Sequence, residues 1–268
     1  MRRSPIVAGQ FYPGTKTAWE QQVRTYLAQA TAPQSPSLMA MVPHAGYPFS
    51  GPVAGKTLGA ASLPETLLLL GPNHTGLGKA LALWSRGAWD IPGASLAIEE
   101  KLAGAIVHGC PHIASDEAAH LREHSLEVIL PFLWALNPRT RIVPLAVAEH
   151  HLPTLLETAE HLHTVFGRQQ QQVGIVVSSD MSHFISEQEA KHLDDMALQR
   201  ILDLDPEGLY NTVRNNRISL CGVLPMTLGL QLAKRMGAVS AKLVDYATSA
   251  DATGDRSQVV GYAGVLLS

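Results

Sequence analysis

Five side chains in this sequence have the types and positions to do chemistry together: His44, His74, Asp180, His183 and Cys221. The first four follow short apolar runs. Leu38 to Val42 leads into Pro43-His44-Ala45-Gly46, Thr66 to Leu70 into Gly71-Pro72-Asn73-His74, and Gly174 to Ser178 into Ser179-Asp180-Met181-Ser182-His183. Cys221 lies in Ser219-Leu220-Cys221-Gly222, directly before an apolar helical segment. A helix N-terminus favours the thiolate, which is both the nucleophilic and the metal-binding form of cysteine. Two chemistries fit. In one, His44, His74 and Cys221 hold a divalent metal, with His183 and Asp180 left as acid/base and orienting groups. Imidazole and thiolate suit Zn, Fe or Cu, and three protein ligands leave positions open for water or substrate. In the other, Cys221 is a nucleophile activated by His183, itself oriented by Asp180. Spacing alone does not separate them. A lone histidine after a strand is ordinarily a hydrogen-bonded loop residue, and a lone cysteine a small hydrophobe.

What would bring these residues together is a sheet. Short runs rich in Leu and Val alternate with longer segments of helical period, the pattern of an α/β fold with a buried sheet. It predicts strands over 38–42, 66–70, 80–84, 141–147, 174–178, 241–246 and 259–267. Helices are expected over 17–30, 50–60, 96–108, 123–136, 152–166, 186–202, 206–215 and 221–236. In open α/β sheets ligands bind beyond the carboxyl ends of the strands, so residues that follow neighbouring strands share one pocket.

The helix expected over 123–136 opens with Glu123-His124-Ser125-Leu126-Glu127. Its period sets His124 and Glu127, three residues apart, on one face, as groups supporting the site or as a solvated helix start. His150 and His151 read as loop residues, and His161 and His163 as an exposed helix face; none is assigned a role. Cys110, flanked by His108 and His112, sits in a loop-like context without one. Trp84, Trp89 and Trp134 read as packing residues. The segment Thr31 to Ser37 reads as a surface loop, since too few residues precede it for a separate core.

The chain's 268 residues can bury a core without disulfides or a structural metal, so one domain over residues 1–268 is expected. Apolar residues at 46% and charged residues at 16% exclude a disordered or fibrous chain. A formal net charge of -3 gives no basic field for nucleic acid. With only two cysteines and no apolar signal core after the first arginines, a cytoplasmic location and reduced thiols are expected. No apolar run approaches the roughly 20 residues that cross a bilayer, so no membrane role is expected.

The motifs AGQFYPG (8–14), VPHAGYPFSG (42–51), LGPNHTG (70–76), EHSLEVILPFL (123–133), SSDMSHF (178–184), LCG (220–222) and VVGYAG (259–264) together resemble the Memo family, whose microbial members are named AmmeMemoRadiSam system protein B. The resemblance implies a three-layer α/β/α sandwich around a mixed, largely parallel sheet, similar to the class III, or LigB-type, extradiol dioxygenases. Those enzymes hold non-haem Fe(II) with two histidines and a glutamate and use another histidine as acid/base. In Memo-like proteins the metal-site residues correspond to His44, His74 and Cys221 here, with His183 at the acid/base position and Asp180 beside it. A thiolate in place of the carboxylate gives a softer site, shifting the preference towards Cu or Zn while still allowing Fe. It would also be a target for the oxidant in O₂ chemistry. The resemblance thus implies a metal-dependent redox or dioxygenase-like protein acting on an unknown small molecule or O₂. It also implies an association with an AMMECR1-type protein and a radical SAM protein. The alternative is a non-catalytic module that recognises a peptide or partner protein through the same pocket. A cysteine or metal hydrolase ranks last.

Overall fold

The computed structural model describes residues 1–33 and 35–268; Gln34, inside the loop expected over Thr31 to Ser37, lies outside the described residues. The strands are β1 (Arg2–Arg3), β2 (Met39–Val42), β3 (Thr66–Pro72), β4 (Leu81–Leu83), β5 (Ala88–Ile91), β6 (Ala94–Ile98), β7 (Ala114–Ser115), β8 (Arg141–Val147), β9 (Val173–Ser178), β10 (His183–Ile185), β11 (Ala241–Thr248) and β12 (Val259–Leu267). The helices are α1 (Lys16–Leu27), α2 (Tyr47–Ala60), α3 (Glu100–Gly109), α4 (Leu130–Leu136), α5 (Leu152–Phe166), α6 (Glu187–Leu202), α7 (Pro206–Asn215), α8 (Val223–Arg235) and α9 (Ala250–Thr253).

All twelve strands form one mixed sheet, with its main path in the order β1-β5-β6-β8-β3-β9-β2-β12-β10. Its centre, β6-β8-β3-β9-β2, is parallel throughout. Every residue of β2, β3 and β9 is buried, which is why these strands read as unbroken apolar runs rather than alternating ones. Helices flank both faces. Against one lie α1, α2 and α4, with α2 on β2 and β12; against the other lie α3, α5, α7 and α8, with α8 across β3 and β9. The expected three-layer α/β/α architecture is therefore present. Among the described residues, no helix is long and apolar enough to cross a membrane.

The strands over 141–147 and 259–267 and the helices over 152–166 and 206–215 match their expected bounds. Two expected helices start later than expected. The one over 96–108 begins only at Glu100, because Ala94–Ile98 is a strand paired with Ala88–Ile91 across a two-residue turn, Pro92-Gly93, whose glycine has φ 72°. The one over 123–136 is helical only over Leu130–Leu136. Pro131 lacks an amide proton and its ring clashes with the preceding turn, so it fits a helix's first turn and not its interior. Residues 125–129 run instead as successive turns. The short β1, β5, β7, β10 and α9 lay outside the expected elements. Trp84 and Trp89 are buried as packing residues, and Trp134 meets buried Trp19 edge-on at 5.6 Å.

Candidate metal centre

The sheet order brings three candidate residues to one edge. β3, β9 and β2 are adjacent and parallel, so their carboxyl ends lie side by side. His44, His74 and Asp180 each stand two residues past the end of their strand. The backbone continues the pairing beyond β9, with Ser179 N–H donating to the Val42 carbonyl at 2.9 Å.

Each ring's outer nitrogen is committed. Ser178 Oγ donates to the Ser125 carbonyl at 2.7 Å, so it has only lone pairs to offer His44 Nδ1, 2.8 Å away. His44 must therefore carry its proton on Nδ1, which leaves the Nε2 lone pair free. His74 Nδ1 lies 2.9 Å from Glu123 Oε1, and its backbone N–H donates to Oε2 of the same carboxylate at 2.6 Å. A carboxylate only accepts, so Nδ1 of His74 carries the proton of that bond. Such support of an imidazole's far nitrogen is the usual companion of metal ligation, where it fixes tautomer and orientation.

Cys221 closes the group from the other end of the chain. Its Sγ lies 3.5 Å from His44 Nε2 and accepts from the Asp180 N–H at 3.2 Å. This approach depends on Gly222. A Cβ there would fall 2.3 Å from Ser179 Cβ, so only glycine lets the start of α8 rest on the end of β9, where its N–H donates to Ser179 Oγ at 3.1 Å. One ligand atom each from His44, His74 and Cys221 lie within 4.8 Å of one another. The helix begins at Val223, two residues beyond the cysteine.

The electrostatics ask for a positive charge. Burial, and then the Asp180 carboxylate, push the Cys221 thiol well above its ordinary value, against the expectation that the helix start would favour a thiolate. Burial pushes the His44 imidazole down to about 4. For His74 burial works downward, but the hydrogen bond and charge of Glu123 outweigh it and raise the imidazole. Burial works to raise Glu123, yet its bonds to His74 hold it down at about 2. Buried Glu123 and Asp180, the imidazoles of His44 and His74 and a thiol form a donor set that fits a cation. The same desolvation argues against an unassisted cysteine nucleophile.

Not every expected role is reproduced. His183 is oriented by Ser219, whose carbonyl accepts from Nδ1 at 2.9 Å and whose Oγ accepts from the His183 N–H at 2.8 Å. The expected partner, Asp180, instead accepts the His44 backbone N–H at 2.7 Å. His124 and Glu127 do not share a face. His124 belongs to the pocket, stacked on His74 with ring centroids 5.1 Å apart and covered by Phe11 at 4.9 Å. Glu127 is fully buried behind it, taking Arg3 Nη1 at 2.8 Å, the Ile6 and Val7 N–H groups and the Tyr12 hydroxyl. Glu123 was missed as a site residue, although a second ligand group, His74, Glu123 and His124, also lies within 4.8 Å.

This arrangement has relatives. The family model described as "Memo-like protein" matches residues 3–266. The chain belongs to the Memo family. Among curated Memo relatives, each described as a MEMO1 family protein, one from Methanopyrus kandleri is 39% identical and one from Sulfurisphaera tokodaii 37%, each match covering 99% of both chains. A third, from Aquifex aeolicus, is 37% identical over 98% of both. The crystal structure of an uncharacterized protein from Escherichia coli K12 superposes with a TM-score of 0.52 at 13% identity, covering 84% of this chain and 98% of that one. That likeness extends the fold of this Memo protein, and the fold alone, to a distant sequence.

Proposed function

We propose that this Memo-family chain is a metal-dependent oxidoreductase that holds Fe or Cu through His44, His74 and Cys221 and acts on a small molecule or O₂. The observation that carries the reading is the commitment of both outer imidazole nitrogens, to Ser178 and to Glu123, with His44 Nε2 facing the thiol and one ligand atom of each residue within 4.8 Å of the others. The sulfur makes the donor set softer than one of two histidines and a carboxylate, which favours Cu or Zn and still admits Fe. Bound there, Fe or Cu would supply one-electron chemistry and an open coordination position. Asp180 holds His44 by its backbone and Cys221 by its own N–H, fixing the spacing of nitrogen and sulfur. His183, with Nδ1 donated to the Ser219 carbonyl, keeps Nε2 as the nitrogen that exchanges a proton.

The test is elemental analysis of protein purified without a metal-affinity tag, after anaerobic reconstitution with Fe(II) or Cu. About one Fe or Cu per chain held through these three residues is expected for wild type, and Cys221→Ser and His44→Ala should each lower the metal content by that one. His183→Ala should keep the metal and lose O₂ consumption. No metal in wild type would overturn the reading, and equal metal loss in His183→Ala would overturn its division of roles.

One observation favours the binding module as the second reading. Phe184, next to His183, is 71% exposed with φ 58°, a left-handed conformation that a bulky residue rarely adopts. An apolar ring held out beside His183 is a docking contact for a peptide, and Phe184→Ser weakening a partner without altering metal content would support it.

A further inference from the structure

A second group of ligand atoms lies outside the strand-end pocket. α5 carries Glu157 and His161 four residues apart, so one helical turn puts both on the same side. His112 reaches them from the turn after α3. That turn is well fixed: Cys110 N–H donates to the Ile106 carbonyl at 2.8 Å, Ile113 N–H to the Cys110 carbonyl at 3.0 Å, and both Cys110 and Ile113 are buried on either side of His112. The two helices also touch closely, since a Cβ on Gly109 would fall 2.6 Å from Val165 Cγ2.

One ligand atom each from His112, Glu157 and His161 lie within 4.8 Å of one another, and the two rings are 6.0 Å apart. His112 Nε2 stands 3.2 Å from Glu157 Oε2, yet outside the geometry of a ring N–H hydrogen bond. It and His161 Nδ1 are both shielded from solvent without a hydrogen-bond partner. Shielded, unpartnered nitrogens are costly, and a cation between them and the carboxylate would remove that cost.

We propose that His112, Glu157 and His161 form a second metal site, for Zn²⁺ or a similar borderline divalent cation, that pins the turn after α3 to α5. Two imidazoles and a carboxylate suit zinc and leave a position for water. Without sulfur, this donor set is harder than the one containing Cys221.

The experiment counts Zn²⁺ by equilibrium dialysis on the metal-stripped, tag-free full chain and follows thermal melting with and without Zn²⁺. His161→Ala should lower the stoichiometry by one, both in the wild-type background and in Cys221→Ser. In Cys221→Ser, Zn²⁺ should raise the melting temperature, and His161→Ala should abolish that rise while circular dichroism stays unchanged. His112→Ala is the second variant should the first fail to fold, with the same drop of one expected. An unchanged stoichiometry in the folded variant, or a wild-type site that loads only above about millimolar Zn²⁺, would overturn the proposal.

Discussion

Glu123 accepts two hydrogen bonds from one residue, His74, through the backbone N–H at 2.6 Å and the ring Nδ1 at 2.9 Å. The pair fixes the position and the tautomer of a ring that is otherwise on the exposed rim of the pocket. Glu123→Gln keeps the shape and removes the charge. Metal affinity should fall by roughly 10- to 100-fold while the fold persists. Competition with a chelator measures the first and circular dichroism the second; unchanged affinity would sink the supporting role.

Ser178 gives His44 its tautomer. In Ser178→Ala both His44 Nδ1 and the Ser125 carbonyl lose their partner, inside a buried region. The expected cost is about 1–3 kcal/mol, measured by urea unfolding of the metal-free protein. Metal binding should weaken as well, because neither tautomer of His44 is then preferred.

Glu127 is the buried counter-charge of Arg3, and the pair is 0% and 1% exposed respectively. Glu127→Ala strands the guanidinium and two backbone N–H groups. A loss of about 3–5 kcal/mol is expected in urea unfolding. A loss below about 1 kcal/mol would show that the segment around Arg3 docks by apolar packing instead.

The metal-free protein should be less stable at pH 5 than at pH 7. Burial pushes His44 and His120 from 6.5 down to about 4 and also lowers His124, so the unfolded chain binds more protons across that window and stability drops as the pH is lowered. His74 acts oppositely: its raised pKa contributes stability that is fully present below 6.5 and lost as pH rises. The contribution of Glu123 is present above 4.5 and lost only as pH falls towards about 2. Two strongly lowered histidines outweigh one raised, by on the order of 2 kcal/mol each between these pH values. Urea midpoints at the two pH values check the sign, and His120→Gln should flatten the slope.

The central sheet and the meeting of His44, His74 and Asp180 at one edge were legible because buried parallel strands leave long apolar runs, and the polar residues after them have one edge to share. Glu123 was hidden by a helical period that Pro131 contradicts; read strictly, that proline starts the helix near Leu130 and frees the preceding turns to line a pocket. The Pro92-Gly93 turn was an equally available hairpin signal, masked by the apolar residues that follow it. The orienting of His183 by Ser219 leaves no mark in sequence, since a carbonyl is common to every residue.

Glu127 clasps Arg3, Ile6, Val7 and Tyr12, tying the start of the described chain to the stretch that carries Glu123 and His124, whereas the thiol arrives from Cys221. During synthesis the imidazoles and their carboxylate emerge well before the sulfur. A nascent chain therefore has nitrogen and oxygen donors to offer before it can discriminate by softness. If the chain holds a metal as proposed, its choice between hard and soft cations waits on the segment carrying Cys221 and Gly222, and the timing of metal supply would count as well as its concentration.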